Sequence, residues 1–262
     1  MDGNEIITLA EELYNAQINC VPVTALSDRY PDITIDDSYE IAMEVVNIKK
    51  AHGLSVIGKK IGLTNKAIRD QIGVHEPDYG IITSEGILTD GGVLEMERLI
   101  APRAEPEIAF IMDRDITPDQ FPLKPCDICY ATRGIAAAIE IVDSRFIDWK
   151  IRIQDTIADA ASYAAFVLSG RIVPIDSLDL SIIGMCAFKN GELVHASCSG
   201  NVMGNPLNSM TWLVNTLLSR GLSLKAGEVV LSGSFTPVFS IGAGDSIYIK
   251  FDHLGDISIR AV

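Results

Sequence analysis

Glu105 and Glu107 stand two apart in the segment Ala-Glu-Pro-Glu-Ile-Ala that begins at Ala104. In an extended chain both carboxylates leave the same face, because side chains alternate across a strand. Neighbouring carboxylates repel, so one must take up a proton or the pair must hold a cation. A third acid, Glu140, lies alone in the apolar run Ala-Ala-Ala-Ile-Glu-Ile-Val that begins at Ala136. An ionised group in such a run needs a partner. Residue chemistry leaves two readings open. Either the three acids form a cation site, or Glu105 and Glu107 line a solvated edge while Glu140 pairs with Arg103 or Arg145. A second candidate for chemistry is the pair Lys59 and Lys60, which a strand would point opposite ways, one outward and one inward.

These residues need elements to carry them. The apolar run Ile108 to Met112 makes the acidic segment a strand entering a core. Leu54 to Thr64 starts as a short strand, followed by a helix over Asn65 to Ile72 and a loop over Gly73 to Gly80. Ahead of them, apolar spacing predicts one helix over residues 5–18 and another that opens at Thr34, with Thr34 and Asp37 as a capping box. Asp127 to Ala138 reads as a helix leading towards Ile139 to Arg145. In the second half, Asn190-Gly191 between two strand patterns is a hairpin signal. Asn205-Pro206 opens a helix that closes at Arg220-Gly221. The expected fold is α+β, with a helical amino-terminal lobe over residues 1–53 and a β-rich body over 54–262, built as one integrated domain.

Composition narrows the class. The 262 residues are 48% apolar and 21% charged, as in a compact globular protein, and the net charge is -14. That charge argues against nucleic acid as a partner. It leaves room for a small anion, since a metal inverts the local field. No stretch suits a membrane span, no basic-then-apolar leader opens the chain, and the expected location is the cytoplasm. Five cysteines, Cys20, Cys126, Cys129, Cys186 and Cys198, are an odd set with irregular spacing. Although Cys126 and Cys129 have redox or half-zinc-site spacing, there is no second pair, and all five read as structural, buried thiols.

Six motifs then fall in a familiar order: Gly58-Lys-Lys-Ile-Gly-Leu-Thr64, Pro77-Asp-Tyr-Gly80, Glu105-Pro-Glu107, Glu140-Ile-Val-Asp-Ser-Arg145, Asp155-Thr-Ile-Ala-Asp159 and Leu231-Ser-Gly-Ser-Phe235. The chain resembles the 2-keto-4-pentenoate hydratases of the fumarylacetoacetate-hydrolase-like superfamily over nearly its whole length. The resemblance implies a distorted β-barrel or roll and a divalent cation, Mg²⁺ or Mn²⁺, with Glu105, Glu107 and Glu140 as its ligands. It implies that a 2-hydroxy-2,4-dienoate tautomerises and then adds water to give a 4-hydroxy-2-oxo acid. Negative charge collects on the C2 oxygen in both steps, and protons must move along the carbon chain. By the same resemblance Lys60 is the proton-transfer group and Asp78 the next acid. Ser162 and Ser234 orient substrate oxygens, and Leu63 lines the apolar side. Asp143 and Arg145 are expected to form a supporting ion pair. Such proteins tend to form homo-oligomers.

One departure stands out. Relatives usually read Ala-Asp-Asn-Ala-Ser where this chain has Ala158-Asp-Ala-Ala-Ser162, so an amide has become the methyl of Ala160. Two rival functions follow. The 4-oxalocrotonate decarboxylases share the three-acid site, but they resemble this chain less at Asp78 and at Gly233-Ser-Phe-Thr236. Pro237 also stands where relatives that hydrate a longer dicarboxylate tend to carry arginine. The other rival is a non-catalytic homologue or partner subunit that binds a 2-oxo acid, motivated by Ala160.

Overall fold

The structure, a computed structural model, describes residues 1–262 apart from the side chains of residues 68, 71 and 72. The chain opens with helices α1 (Gly3–Asn19), α2 (Leu26–Arg29) and α3 (Ile35–Ala51). Both long helices are capped by short polar side chains that satisfy amide groups left over in the first turn. Asp2 accepts from the Asn4 and Glu5 N–H groups, and Thr34 and Asp37 form the expected box, with N–H···O distances of 3.1 and 2.9 Å. Ile6, Leu9 and Leu13 of α1 and Ile41 and Val45 of α3 bury their stripes against each other, together with Phe146 and Ala158 from later in the chain. A buried carboxylate reinforces this junction: Asp155 accepts from the Ser27 N–H at 2.9 Å and from its hydroxyl at 2.5 Å.

The body follows as β1 (Val56–Gly62), α4 (Lys66–Ile72), β2 (Asp78–Thr83), β3 (Ile87–Leu88), β4 (Val93–Leu94) and β5 (Arg103–Met112). Next come α5 (Pro125–Ala131), β6 (Thr132–Val142), α6 (Ile153–Ala158) and β7 (Tyr163–Leu168). The last stretch holds β8 (Gly184–Lys189), β9 (Glu192–Cys198), α7 (Pro206–Ser219), β10 (Val229–Leu231), β11 (Phe239–Ser240), β12 (Ser246–Phe251) and β13 (Gly255–Ala261). One sheet has the order β2-β1-β10-β5-β6-β7-β3, with β11 also on β5, and it curls as a half-barrel. The other has the order β4-β13-β12-β8-β9. Their common core joins Ile108, Phe110 and Ile139 to Ile247 and Ile249, and α7 adds Met210, Leu213 and Leu217. The fold is therefore α+β with a β-rich body, as expected.

Local rules explain most elements. Asn190 and Gly191 both have positive φ (55° and 83°), as a tight turn between β8 and β9 requires. Along β12 burial alternates strictly, with Ile247, Ile249 and Phe251 inward.

Three expectations need correction. The helix read over Asp127 to Ala138 ends at Ala131, and Thr132 onward is strand β6. Ala136, Ala137 and Ala138 favour helix intrinsically, yet all three are fully buried and paired to β5. Tertiary pairing has overridden propensity. The loop read over Gly73 to Gly80 likewise stops at Pro77, because Asp78 opens β2. The thiols are not buried: Cys126 and Cys198 are exposed, the other three are half-buried, and all five are free.

Candidate active site

Sheet order assembles the site. β2, β1, β10, β5 and β6 are successive neighbours, and each carries or braces a chemical group. Asp78 at the start of β2 faces Gly62 across the ladder, and Gly80 faces Lys60. On its other side Lys60 is in register with Leu231 of β10. Glu105 of β5 stands directly opposite Glu140 of β6, and Glu107 is two residues along the same face.

One carboxylate oxygen from each of Glu105, Glu107 and Glu140 lies within 4.8 Å of the others. Glu107 and Glu140 are fully buried, and Glu105 is half-buried. The Gly233 N–H donates to Glu107 Oε2 at 2.8 Å. Gly233 must be glycine twice over: its φ is +106°, and a Cβ there would overlap the Thr64 side chain. Among the described residues Glu107 Oε1 and both Glu140 oxygens receive no hydrogen bond, although Glu140 Oε1 is ion-paired with Lys60. Burial pushes all three acids above the usual carboxylate range. At Glu107 the charges of Glu140 and Glu105 push further in the same direction. Buried carboxylates without a full set of partners are costly, and three convergent oxygen donors suit a hard divalent cation. The residues fit such an ion.

Lys60 is buried beside this cluster. Its Nζ donates to the Ala161 carbonyl at 2.9 Å and lies 3.2 Å from Glu140 Oε1. Burial works to lower its pKa, but Glu140, Glu105, Asp78 and Glu107 together outweigh burial and hold the ammonium above the usual lysine range. Lys59 is not the solvent-facing member of the pair. It is buried too, with Nζ 2.7 Å from Glu228 Oε2, because β1 is flanked by two strands and covered on both faces.

Asp78 is fully buried, and neither carboxylate oxygen receives a hydrogen bond. Burial pushes its pKa up to about 6, against the opposing pull of Lys60. Its place depends on Gly62, where a Cβ would overlap Asp78 Oδ1. Ser162 Oγ is also buried, with no partner among the described residues. Ser234 Oγ instead donates to the Thr236 carbonyl at 2.9 Å, inside its own loop. Leu63 turns the chain at φ 54°, and its carbonyl accepts from Arg69 at 2.6 Å. Lys60, Leu63, Asp78, Glu105, Ser162 and Ser234 all line one cavity of about 680 Å³. Glu107 and Glu140 are not among the lining residues, but their carboxylates converge with that of Glu105, which is.

The segment Ala160, Ala161 and Ser162 has left-handed φ values of 51°, 53° and 57°. That turn aims the Ala161 carbonyl at Lys60, and the Ala160 carbonyl packs where a Cβ on Gly80 would overlap it. The expected pair of Asp143 and Arg145 does not form between side chains. Arg145 pairs with Asp159 and donates to the Asp143 carbonyl at 2.5 Å, while the Asp143 carboxylate accepts from the Ile100 and Ala101 N–H groups. Arg145 is drawn to the 160–162 turn because Asp159 sits at its root. Among the cavity residues not singled out as site residues from the sequence are Arg103 and Trp149. Arg103 shares the alternating register of Glu105 and Glu107 and was legible by that rule, whereas Trp149 left no local signal.

The chain belongs to the fumarylacetoacetate hydrolase family: the family description "Fumarylacetoacetate (FAA) hydrolase C-terminal" matches residues 49–262. It is 39% identical over 261 residues to a 2-hydroxyhexa-2,4-dienoate hydratase of Comamonas testosteroni, covering 99% of this chain and 98% of the relative. It is 41% identical over 224 residues to a 2-hydroxypent-2,4-dienoate hydratase of Pseudomonas putida, covering 85% and 100%. Among solved structures, 4-oxalocrotonate decarboxylase from Pseudomonas putida G7, complexed with magnesium and adipate, superposes with a TM-score of 0.96. That pair is 30% identical, with 100% and 99% of the two chains covered.

Proposed function

We propose that this chain is a hydro-lyase that adds water to a 2-hydroxy-2,4-dienoate (2-keto-4-pentenoate) and yields a 4-hydroxy-2-oxo acid. The observation that carries the reading is the meeting of two buried proton-carrying groups, Lys60 and Asp78, with three convergent acids around one cavity. Relatives that match 85–99% of the chain at 35–41% identity are named as hydratases of such acids.

Glu105, Glu107 and Glu140 would hold Mg²⁺ or Mn²⁺, which supplies positive charge where the substrate's 2-oxygen becomes negative. Lys60, anchored by the Ala161 carbonyl, carries a proton along the carbon chain during tautomerisation. Asp78, with free oxygens and a pKa near 6, takes the proton of the attacking water. The Ser162 hydroxyl, which has no partner among the described residues, donates to a substrate oxygen. Leu63 and Ser234 bound the substrate, the first by its apolar side chain and the second by the shape of its loop.

The second reading is decarboxylation, favoured by the TM-score of 0.96 to a decarboxylase. Hydration keeps every carbon, whereas decarboxylation releases carbon dioxide. Purified protein with Mg²⁺ or Mn²⁺ should consume an absorbing 2-hydroxydienoate and return a 4-hydroxy-2-oxo acid of equal carbon count. Carbon dioxide release from 4-oxalocrotonate with no hydration of the dienoate would reverse the assignment.

Three further features belong to the same reading. Residues 1–53 act as a lobe on a catalytic body at 54–262, in line with a family match that begins at residue 49. The protein assembles as a homo-oligomer; the edge strand β9 offers Leu193 and Val194 in exposed positions. Its location is cytoplasmic, and no described helix is long and apolar enough to cross a membrane.

A further inference from the structure

Three cationic side chains line the cavity: Lys60, Arg103 and Arg152. Lys60 is engaged by Ala161 and Glu140, and Arg152 by the Ser27 carbonyl and Asp28, both at 3.3 Å. Arg103 differs. Among the described residues its guanidinium meets no carboxylate or carbonyl, and its Cζ lies 4.1 Å above the centroid of the Trp149 ring. The ring is itself fixed, because Trp149 Nε1 donates to the Ala101 carbonyl at 3.0 Å. Asp148 and Trp149 also both have left-handed backbone, with φ of 57° and 56°. Non-glycine residues rarely adopt that conformation, so two in succession make the platform a maintained feature of the fold. A stacked guanidinium keeps its N–H edge free, and that edge matches a carboxylate in two parallel hydrogen bonds.

The position of Arg103 says which ligand it would meet. Arg103, Glu105 and Glu107 are alternate residues of β5 and leave one face, with successive Cα atoms of that face about 7 Å apart. Four buried or half-buried acids, Glu105, Glu107, Glu140 and Asp78, act on the one ammonium of Lys60. An anion entering a chain of net charge -14 therefore needs a positive group near the mouth.

We infer that Arg103, laid on the Trp149 ring, is the carboxylate-binding group of this cavity and takes an acid group of a 2-oxo acid seated at the three-acid cluster. The inference rests on the proposed function for the identity of that ligand. The acid group is either the ligand's own 1-carboxylate or a second carboxylate at its tail.

Calorimetric titration of the Mg²⁺-loaded protein with 2-oxopentanoate and with 2-oxohexanedioate tests this. Arg103→Met should weaken at least one ligand tenfold or more while the Mg²⁺ affinity stays within twofold. Equal weakening of both assigns Arg103 to the 1-carboxylate, and weakening of the diacid alone assigns it to the tail. Arg103→Lys keeps charge without the planar fork and should fall between, and Trp149→Leu should shift affinity in the same direction as Arg103→Met. Unchanged affinity for both ligands in Arg103→Met overturns the inference. So does a parallel loss of melting temperature and Mg²⁺ affinity that accounts for the weaker binding. Wild-type protein that takes Mg²⁺ but binds neither ligand overturns the proposed function, and this inference with it.

Discussion

Glu105 and Glu140 are register partners across the β5–β6 ladder, so two acids of the cluster are set by strand pairing itself. The third, Glu107, is two residues along β5 and is steadied by the Gly233 N–H. The backbone thus brings together three charges that would otherwise separate.

Such a cluster is under electrostatic load until a cation shares it. Glu107→Gln should lower Mg²⁺ affinity at least tenfold and abolish turnover. In metal-free buffer it should raise the melting temperature, because a buried carboxylate without a full set of partners is removed. Calorimetry and thermal melts with and without chelator read both effects. A variant that keeps wild-type Mg²⁺ affinity would count against the cation site.

Among the described residues Lys60 is the cation in an ion pair with this cluster, 3.2 Å from Glu140. Lys60→Met should cut kcat by about 10² to 10⁴, the usual range for loss of a proton-transfer group. Mg²⁺ should bind at least as tightly, since a competing positive charge has gone. Turnover that survives the change would exclude Lys60 from the proton chemistry.

Asp78 works as a base only when ionised, and its pKa is near 6. kcat/KM should therefore fall about tenfold per pH unit below that value and level off above it. Asp78→Asn should lose most activity and flatten the acid limb. An unchanged pH profile in the variant would assign the limb to another group.

Ala160 stands first in the left-handed turn, at φ 51°. Alanine pays about 1–2 kcal/mol for that conformation, which asparagine and glycine adopt more readily. Ala160→Asn, which restores the residue common in relatives, should raise stability by about 1 kcal/mol in urea unfolding. A destabilised variant would mean that the methyl makes a contact worth more than the backbone strain.

The cap of α3 gives a test far from the cavity. The Met1 ammonium, then the Thr34 hydroxyl and N–H, hold the Asp37 carboxyl down to about 2 from an ordinary 3.8. A depressed acid contributes stability that is present above the unfolded value and is lost as pH falls through the folded one. The acid branch between about pH 4 and 2 should flatten in Asp37→Ala, which should also cost about 1 kcal/mol at neutral pH. Equal slopes for both proteins would leave the cap without that role.

The sequence disclosed whatever follows from short-range rules. Thr34 and Asp37, Asn190-Gly191, and the alternation of Glu105 and Glu107 each announce a local geometry. Asp78 and Ser162 are legible only through the family resemblance that six ordered motifs carry; nothing about their own neighbours says that they converge with Lys60. Long-range pairing hid the rest. The alanines at 136–138 read as helix until β5 claims them, and Lys59 reads as a surface lysine until Glu228, far along the chain, covers it. Arg145 is expected to support the strand of Glu140 through Asp143, but its carboxylate partner is Asp159, which the turn after α6 swings into place.

The short strand β10 lies between β1 and β5, pairing parallel to one and antiparallel to the other. Neighbouring strands are about 4.8 Å apart, so β10 holds β1 and β5 two strand spacings apart, with Lys60 and Ala109 both level with Leu231. Backbone hydrogen bonds, rather than side-chain fit, gauge the reacting end. Mutation there can delete a group but cannot widen the span. Adaptation to longer or bulkier acids would then accumulate at the rim, around Leu63, Trp149 and Pro237, where the chain leaves the sheet. Selection for new substrates in this scaffold should return changes at those loops and leave the strands untouched.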